Sequence, residues 1–551
     1  MAPTKVCGCT IAGSQEAGTE IFGYMKRRAF FKTAALAGLA APLTVREAAG
    51  HVVAHNWDKY DFGSGPVVKD RLNQGPFPEY APEDLYPGGE VVMATTPTDE
   101  VVPNFGKGPI TYITGNMGLA EIVGEDKLQA IDDLVRIPLG QKLYIRPTWR
   151  EIQKVRGRLD FPEYWKLVFD LARKHNKRVG FRIQMRAPDY REEALPDFIL
   201  QKVPMVRLEG VWRPEGSSRV VEPRYDHPYY EEPRYDHPYF QEAFRELNGL
   251  LAAEFNGNPL VEFFDTFMYG FWGEGHTWPF TNNPFPDYAT AERTWLDMFD
   301  VQLDHWTKTP LVTNTQPDVS QVGNAALLDR TVRSHNWLRT DTIFIENEQI
   351  ETVSNRPPWI GAAVEVGGAD GIVEESEDTI RAREGVTSSD NAIQHVMDIG
   401  PHYWSLWYRH RISAASIMSY YQRYPKMIDR MCLKIGYNVR PSLIWTYAGE
   451  NPGLIVGFAN DGLAGVPGVL HVSVVGEDGK VLAEGGLDAG YPLPGKIRQA
   501  QFRLAKGTKW EGLKLKAEID VKGVRYPVRW ACRQKTNPDG SLTLARNVPA
   551  G

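Results

Sequence analysis

Short apolar runs alternate with helical segments along the chain from about residue 106. Eight runs have the length of buried strands and occupy residues 110–114, 143–149, 179–185, 261–268, 311–314, 342–345, 359–364 and 402–406. Between them, apolar residues recur with the helical spacing of about 3.6 positions, as at 126–137, 162–175, 240–255 and 289–307. Strand–helix alternation repeated in this way predicts an α/β fold, a parallel (β/α)8 TIM barrel.

Beyond about residue 430 the pattern holds strands and turns without helical stretches. The strand-like runs are 443–447, 454–458, 469–475, 481–484, 513–521 and 524–532. We therefore predict a C-terminal antiparallel β-sandwich over 429–551, preceded by a barrel over 106–428. Residues 51–105 are expected to form an N-terminal extension that packs on the barrel, with one strand-like run at 90–96.

The N-terminal segment resembles an export signal. Residues 25–32 read Met-Lys-Arg-Arg-Ala-Phe-Phe-Lys, and an apolar stretch follows at 34–43. That stretch is too short to span a bilayer, and small residues at 48–50 are suited to cleavage. We expect residues 1–50 to be a leader with a twin-arginine-type signal that starts at Met25. The mature protein would be periplasmic or extracellular, with no membrane partner.

The net charge, the cysteine positions and the absence of known motifs limit which partners and ligands we expect. The net charge of −7 disfavours nucleic acid as a partner. Two of the four cysteines lie in the leader, and Cys432 and Cys532 either pair in an oxidising compartment or remain buried thiols. The sequence has no zinc-site spacing, no Gly-rich dinucleotide fingerprint and no phosphate loop, so it predicts neither a metal nor a cofactor.

Two glutamates stand at the predicted carboxyl ends of barrel strands, where barrel enzymes place their chemistry. Glu274 follows the fourth run within a stretch of glycines and aromatic residues, 268–278, which suits a proton donor. Glu365 ends the seventh run and is followed by two glycines. Glycosidic cleavage needs such a pair, one acid and one nucleophile or base. Glu346 and Glu348, after the sixth run, remain alternatives for the second carboxylate.

Other polar and aromatic residues near the strand ends are candidates for binding substrate. They are Arg146, Trp149, Arg182, Gln184, Tyr269, Trp272, His276, Trp278, Asn314, Glu346, Trp404 and Trp407. Trp149, Trp404 and Trp407 suit a core position as well as a platform for a sugar ring. The arginines either orient the carboxylates or, if they reach the cleft, favour anionic or sulfated sugars.

A ten-residue duplication lies between the third and fourth runs. Residues 222–229, Glu-Pro-Arg-Tyr-Asp-His-Pro-Tyr, recur at 232–239. The period is too short for a repeat architecture, so a local duplication in a long loop is the simplest interpretation. Its Asp and His side chains are candidate metal ligands, and the loop is placed to border a cleft.

Residues 106–425 resemble the clan A glycoside hydrolases, the β-galactosidase and endoglucanase superfamily. The resemblance rests on 144–149, 157–161 and 177–183. The Trp-Gly-Glu-Gly-His run at 272–276 resembles that of poorly characterised glycosidase-like barrels related to the clan. It implies a retaining mechanism with Glu274 as acid/base and Glu365 as nucleophile. In the clan, an Asn that contacts the sugar 2-hydroxyl precedes the acid/base, whereas this chain has Gly273. A tyrosine on strand six that holds the nucleophile is also not evident.

Three hypotheses follow from the sequence. The first is an exported retaining glycoside hydrolase that cleaves a β-glycosidic bond in a poly- or oligosaccharide by double displacement with two Glu. The second, motivated by Gly273, is a non-catalytic carbohydrate-binding barrel. The third is a metal-dependent hydrolase or lyase that uses Glu274, His276 and the Asp/His repeat.

Overall fold

The computed structural model describes most of the chain after the leader. The described residues are 68, 70–74, 89–114, 122, 126–186, 193–209, 231–275, 284–315, 324–342, 347–366, 385, 387–406 and 413–547. The predicted leader, residues 1–50, and the first copy of the duplication lie outside them. Within the described residues, no helix is both long and apolar enough to cross a membrane.

The strands and helices are numbered in chain order. The strands are β1 (Asn73–Gln74), β2 (Glu90–Ala94), β3 (Gly108–Tyr112), β4 (Lys142–Ile145), β5 (Arg178–Phe181), β6 (Met205–Arg207), β7 (Glu231–Pro233), β8 (Val261–Asp265), β9 (Leu311–Asn314), β10 (Trp337–Thr342), β11 (Ala362–Val366), β12 (Tyr403–Ser405), β13 (Val439–Tyr447), β14 (Gly453–Asn460), β15 (Val469–Val475), β16 (Val481–Gly486), β17 (Ile497–Arg503), β18 (Lys514–Val521), β19 (Val524–Val528) and β20 (Leu542–Thr543). The helices are α1 (Lys127–Val135), α2 (Trp149–Ile152), α3 (Glu163–Lys174), α4 (Asp197–Leu200), α5 (Pro238–Phe255), α6 (Tyr288–His305), α7 (Asn324–Arg333), α8 (Asn347–Ser354), α9 (Ser388–Asp398), α10 (Ala414–Arg423) and α11 (Pro425–Lys434).

Eight parallel strands close into a barrel, and this confirms the predicted TIM fold. Their order is β3-β4-β5-β8-β9-β10-β11-β12, and β12 pairs with β3 to complete the ring. The hairpin formed by β6 and β7 is an insertion between β5 and β8. Helices follow the strands as predicted; α3, for example, spans Glu163–Lys174 where the sequence indicates 162–175.

The sixth barrel strand is displaced from its predicted position. The apolar run indicates 342–345, whereas β10 spans Trp337–Thr342. This strand carries Arg339, a charged residue that the apolar-run criterion rejects. Its guanidinium lies inside the barrel, where carboxylates from other strands neutralise it. A strand can therefore be buried without being apolar, provided that its charge is paired.

Aromatic and aliphatic side chains fill the barrel interior. They come from alternate positions of successive strands and include Tyr112, Tyr144, Phe263, Val312, Trp337, Ala363 and Tyr403. The Phe263 ring packs directly against Gly180, where any side chain would clash, because a Cβ at 180 would lie 2.5 Å from the ring. The register slips by one residue opposite this point, so that Glu262 is the extra residue of a bulge on β8.

The bulge directs Glu262 into a buried polar cluster at the amino-terminal ends of the strands. Its carboxylate pairs with Lys142 at 2.9 Å and accepts a hydrogen bond of 2.7 Å from the Tyr403 hydroxyl. The backbone N–H of Gly106 donates to the same carboxylate at 2.8 Å. Paired in this way, the charges close the floor of the barrel without leaving Glu262 unsatisfied.

Two antiparallel sheets lie outside the barrel, formed by the C-terminal strands together with β1 and β2. One has the order β1-β17-β14-β13-β2, and the other runs β16-β15-β18-β19, with β20 paired to β18. Along β18, buried and partly exposed residues alternate, and buried residues of both sheets belong to one apolar cluster. The sandwich arrangement stays a prediction. Cys432 and Cys532 are buried free thiols, so the alternative of a disulfide between them is wrong.

Candidate active site

Charged side chains from several strands meet at the carboxyl end of the barrel. Asp265 is the last residue of β8, and Arg146 and Arg182 come directly after β4 and β5. Arg339 lies within β10 and Glu365 within β11. All five side chains are buried. Buried charges of this density require mutual pairing.

Arg339 joins three carboxylates with one guanidinium. Its Nη2 lies 2.6 Å from Glu274 Oε1, and its Nη1 lies 2.5 Å from Glu365 Oε2. Its Nε is 3.3 Å from Asp265 Oδ1. Because the guanidinium is planar and rigid, the two glutamates are held at a fixed separation that one guanidinium can span.

The other two arginines divide between the glutamates. Arg146 Nη2 lies 2.5 Å from Glu365 Oε1, and its guanidinium packs over the Tyr144 ring at 4.9 Å. Arg182 Nη1 lies 2.9 Å from Glu274 Oε1. The predicted contact between the arginines and the carboxylates is therefore the one observed, with Arg146 on the Glu365 side and Arg182 on the Glu274 side.

These contacts keep the Glu365 carboxyl ionised. Burial alone would raise its pKa, but the charges of Arg146 and Arg339 outweigh burial and lower the pKa from 4.5 to about 2. The neighbouring Tyr112 and Tyr144 hydroxyls stay neutral, because burial raises the pKa of both. The Tyr144 hydroxyl donates a hydrogen bond to Asp265, which leaves that carboxylate paired on both sides.

Glu274 lies at the end of a tight loop, not at the end of its strand as predicted. The strand β8 ends at Asp265, and the chain then turns through a 3₁₀ turn, Phe271–Gly273. Gly270, Gly273 and Trp272 all have positive φ, 79°, 76° and 58°. The backbone N–H of Trp272 donates to the Arg186 carbonyl at 2.7 Å, which fixes a conformation that tryptophan rarely adopts.

The same loop explains why residue 273 is glycine. A Cβ at 273 would lie 2.9 Å from Phe267 Cβ and 3.1 Å from Phe267 Cα. The Gly273 carbonyl accepts a hydrogen bond of 3.0 Å from the Met268 N–H, so the backbone has little freedom to move away. An Asn at this position does not fit the loop. Glycine at 273 is therefore required by the conformation of this loop.

Some predicted binding residues lie away from the charged cluster. Trp149 begins α2, donates to Gln153 Oε1 at 2.7 Å and packs edge-on against Phe240. Trp404 pairs in register with Val364, so both point away from the side of the sheet that carries Glu365. Tyr269 packs against Trp295 at 4.9 Å. These three aromatic side chains are core residues.

Other predicted residues lie close to the cluster or outside the described part of the chain. Asn314, the last residue of β9, pairs in register with Arg339, and Gln184 continues the strand that carries Arg182. The side chain of Glu348 and the whole of four other candidates lie outside the described residues, namely His276, Trp278, Glu346 and Trp407.

The second copy of the duplication has a structural role. Arg234 makes two hydrogen bonds to the Asp236 carboxylate, at 2.8 and 2.7 Å. His237 caps α5 by accepting from the Tyr239 N–H at 3.3 Å. Across the described residues, no group of three or more His, Cys, Asp or Glu side chains is arranged to hold a metal ion.

The sequence reasoning missed Asp265, Arg339, Tyr112 and Tyr144. A signal for Arg339 and Asp265 exists, because each is a charged residue two positions after a large apolar one, Trp337 or Phe263. Period-two alternation places both members of each pair on the same face of a strand. Their contacts with each other depend on barrel closure, which a single strand does not reveal.

Neither the family models nor the curated proteins give a match to this chain. Solved structures are similar at low identity. Endo-glycoceramidase II from Rhodococcus sp., in its lactosyl-enzyme form, is 11% identical, with a TM-score of 0.35 over 75% of this chain and 100% of that chain. A β-amylase catalytic domain from Paenibacillus polymyxa is 9% identical, with a TM-score of 0.35 over 59% of this chain and 98% of that chain. A β-galactosidase from the haloarchaeon Halorubrum lacusprofundi is 11% identical, with a TM-score of 0.32 over 54% of this chain and 52% of that chain.

The chain is a (β/α)8 barrel protein. Its own strand order, a closed ring of eight parallel strands, establishes this. The expected (β/α)8 barrel is thus the fold observed. The activity is a separate question, because one fold hosts many chemistries and the site has to decide among them.

Proposed function

We propose that this barrel protein is a retaining glycoside hydrolase that cleaves a β-glycosidic bond in a poly- or oligosaccharide. The observation that carries the proposal is the sharing of Arg339 by Glu274 and Glu365 at the carboxyl end of the barrel. Retaining glycosidases need two carboxyl groups about 5–5.5 Å apart, whereas inverting ones leave room for water with a wider gap. A pair that one guanidinium spans favours the retaining geometry.

Each glutamate has a distinct role in the proposed double displacement. Glu274 donates its proton to the glycosidic oxygen as the bond from that oxygen to the anomeric carbon breaks. A Glu365 oxygen attacks the anomeric carbon and forms a glycosyl ester. Glu274, now a carboxylate, takes a proton from water, and the water oxygen displaces Glu365. The cycle returns both groups to their starting protonation states.

The electrostatics of the cluster support the role of Glu365 as the nucleophile. A nucleophile has to be ionised, and Arg146 and Arg339 hold the pKa of the Glu365 carboxyl at about 2. Arg146 also restricts rotation of that carboxylate through its contact with Oε1. Glu274 lies on a separate loop and contacts the other end of the shared guanidinium.

A glycoside screen with matched variants tests the proposal. We expect wild type to hydrolyse at least one β-glycoside with retention of anomeric configuration, read by NMR of the first-formed sugar. Glu274→Gln and Glu365→Gln should each lower kcat at least about a hundredfold. Glu163→Gln, an exposed position on α3, is the matched control and should keep wild-type rates. Equal turnover by all four proteins, or inverted product, would contradict the proposal.

Binding without turnover in that screen would support the second hypothesis, a carbohydrate-binding barrel. That hypothesis was motivated by Gly273, but the loop itself requires glycine there, because a Cβ at 273 would clash with Phe267. Export and the C-terminal β-sandwich belong to the same proposal and rest on residues 25–32 and on the strand pattern. Replacing Arg27 and Arg28 by lysine should retain the protein inside the cell, as measured by fractionation.

A further inference from the structure

Among the described residues, two buried polar groups close to the charged cluster make no hydrogen bond. The Gln184 amide is fully buried, and neither its Nε2 nor its Oε1 makes a hydrogen bond. Arg182, which contacts Glu274 through Nη1, leaves its Nε without a partner. Leaving a buried donor or acceptor unpaired is costly, so such groups call for an explanation.

The backbone places these groups on one face. Beyond β5 the chain continues in register with the segment after β4: the Arg182 N–H donates to the Ile145 carbonyl and the Gln184 N–H to the Pro147 carbonyl. The extended pairing preserves period-two alternation, so Gln184 points to the same side as Arg182. That side is the barrel interior, where Arg182 contacts Glu274.

The contacts of the arginines with the two glutamates indicate which part of the substrate Arg182 and Gln184 would face. Arg146 contacts Glu365, whereas Arg182 contacts Glu274 and Asp265. In the proposed mechanism Glu365 bonds to the glycosyl unit and Glu274 protonates the leaving group. Groups on the Glu274 side therefore face the leaving group.

The charge of the cluster limits what can bind. Among the described residues of the site, three guanidiniums, those of Arg146, Arg182 and Arg339, face the carboxylates of Asp265, Glu274 and Glu365. A uronate or sulfate would therefore have to compete with Asp265, Glu274 or Glu365 for its guanidinium. A primary amide offers both a donor and an acceptor, the pair that adjacent neutral hydroxyls require.

We propose that the Gln184 amide and the Arg182 Nε form a leaving-group subsite for a neutral sugar unit with adjacent hydroxyls. The inference rests on the proposed hydrolase function and specifies its substrate class. The two unpaired groups are polar atoms kept for the ligand at a cost to the stability of the free protein.

Comparing two leaving groups tests the subsite. The substrates are 4-nitrophenyl β-glycosides of glucose, galactose and mannose, and the disaccharides with the same non-reducing sugars. Nitrophenol has no adjacent hydroxyls, so Gln184→Leu should lower the ratio of kcat/KM for disaccharide over aryl glycoside by roughly ten- to a hundredfold. The same variant should have a higher Tm than wild type, because an unpaired amide becomes an apolar group of similar size.

Gln153→Leu is the matched control. Gln153 is also fully buried, but its amide is paired with Trp149 and Glu246. Its replacement should lower Tm and keep the ratio at the wild-type value. The subsite would be overturned if Gln184→Leu lowered kcat/KM equally for disaccharides and aryl glycosides, or lowered neither, so that their ratio stayed unchanged. A preference of the wild type for sulfated or uronic disaccharides would overturn it as well.

A binding measurement separates this proposal from the hydrolase function. In a Glu365→Gln background, calorimetry with the same disaccharides should show binding that Gln184→Leu weakens roughly tenfold or more. If that holds while wild type turns over no glycoside, the hydrolase proposal and the leaving-group assignment fail, and Gln184 is a sugar-binding residue only. If wild type hydrolyses glycosides but Gln184→Leu weakens no binding, the subsite fails. Absence of any disaccharide binding overturns it as well.

Discussion

At the scale of single residues, Arg339 determines the geometry of the candidate site. Its guanidinium contacts Asp265, Glu274 and Glu365, which come from β8, the loop after β8, and β11. A lysine could supply the charge but not the planar arrangement of donors. The side chain therefore neutralises buried charge and also sets how far apart the two glutamates lie.

We expect Arg339→Met to destabilise the protein by about 3–5 kcal/mol, because it leaves buried carboxylates without their shared cation. Urea unfolding measures this free energy. Arg333→Met is the matched control: Arg333 pairs with Asp329 at the surface of α7, where such pairs contribute about 0–1 kcal/mol. Equal destabilisation of the two variants would show that the buried network does not stabilise the fold.

The lowered pKa of Glu365 predicts a pH-dependent contribution to stability. The pKa is about 2 in the folded protein against an ordinary 4.5, so the stabilisation is complete above about pH 4.5. It is lost as the pH falls from about 4.5 towards 2, because the unfolded chain binds the proton first. The free energies of unfolding of wild type and Glu365→Gln, measured in urea, should differ most near neutral pH and converge in acid. A constant difference would contradict the prediction.

The sequence reveals the type of residue at the site more readily than the contacts between residues. Glu365 could be found because it ends an apolar run that is easy to locate. Arg339 is harder to find, because its charge interrupts the apolar run of its strand and only its spacing from Trp337 marks the face it shares. Pairing across a closed barrel joins residues far apart in sequence, and no local pattern encodes it.

At the scale of elements, the loop from Asp265 to Glu274 positions the proposed acid/base. Its positive-φ residues and the hydrogen bond from the Trp272 N–H to Arg186 fold the chain back towards the barrel. Local sequence indicates a turn there, since glycines cluster. It does not indicate how far Glu274 lies from the end of its strand, because loop length has no periodic signature.

Gly273→Asn should not restore a missing sugar contact but should damage the loop. Asn tolerates positive φ, so the penalty comes mainly from its Cβ against Phe267 and is expected to be about 1–3 kcal/mol. Turnover of the best glycoside should fall at least about tenfold, since Glu274 is the next residue. Thermal melts and steady-state rates measure the two effects.

Gly479→Asn provides the control for backbone conformation. Gly479 has a φ of +82°, close to that of Gly273, but a Cβ there meets nothing within 4 Å. Its replacement should cost under about 1 kcal/mol and leave turnover at the wild-type rate. Gly273→Asn behaving like Gly479→Asn would show that contact with Phe267 is unimportant.

Strands with clean patterns were predicted well and irregular ones were not. The run 469–475 coincides with β15, whereas β17, with the sequence Ile-Arg-Gln-Ala-Gln-Phe-Arg, gave no apolar run. Polar residues in β17 alternate with apolar ones only over part of its length. Its partners β14 and β1 define it as a strand through backbone pairing, which is insensitive to side-chain type.

At the scale of the whole molecule, the barrel and the C-terminal sheets share packing. The Phe105 ring, just before β3, stacks on Tyr526 of β19 at 3.6 Å. Arg178 at the start of β5 lies over both rings, at 5.1 and 4.9 Å. The Lys522 ammonium donates to the Trp306 carbonyl at 2.8 Å. The sheets therefore cover the floor of the barrel.

This shared packing predicts cooperative unfolding. Tryptophan fluorescence, which reports on both parts, and far-UV circular dichroism should give coincident urea transitions. Tyr526→Ala should shift both probes together to lower urea, since it removes the ring that covers Phe105 and Arg178. Two resolved transitions would show that the barrel folds independently of the sheets.

The strand β2 connects the beginning of the described chain to its end. It pairs with β13, and its Ala94 N–H donates to Asn547 Oδ1, 453 positions later. During synthesis, β2 leaves the ribosome long before either partner exists. Contacts between such distant residues slow folding, because a long loop must close before they form. The docking of β2 is therefore expected to be a late step of folding, after β13 and Asn547 have been synthesised.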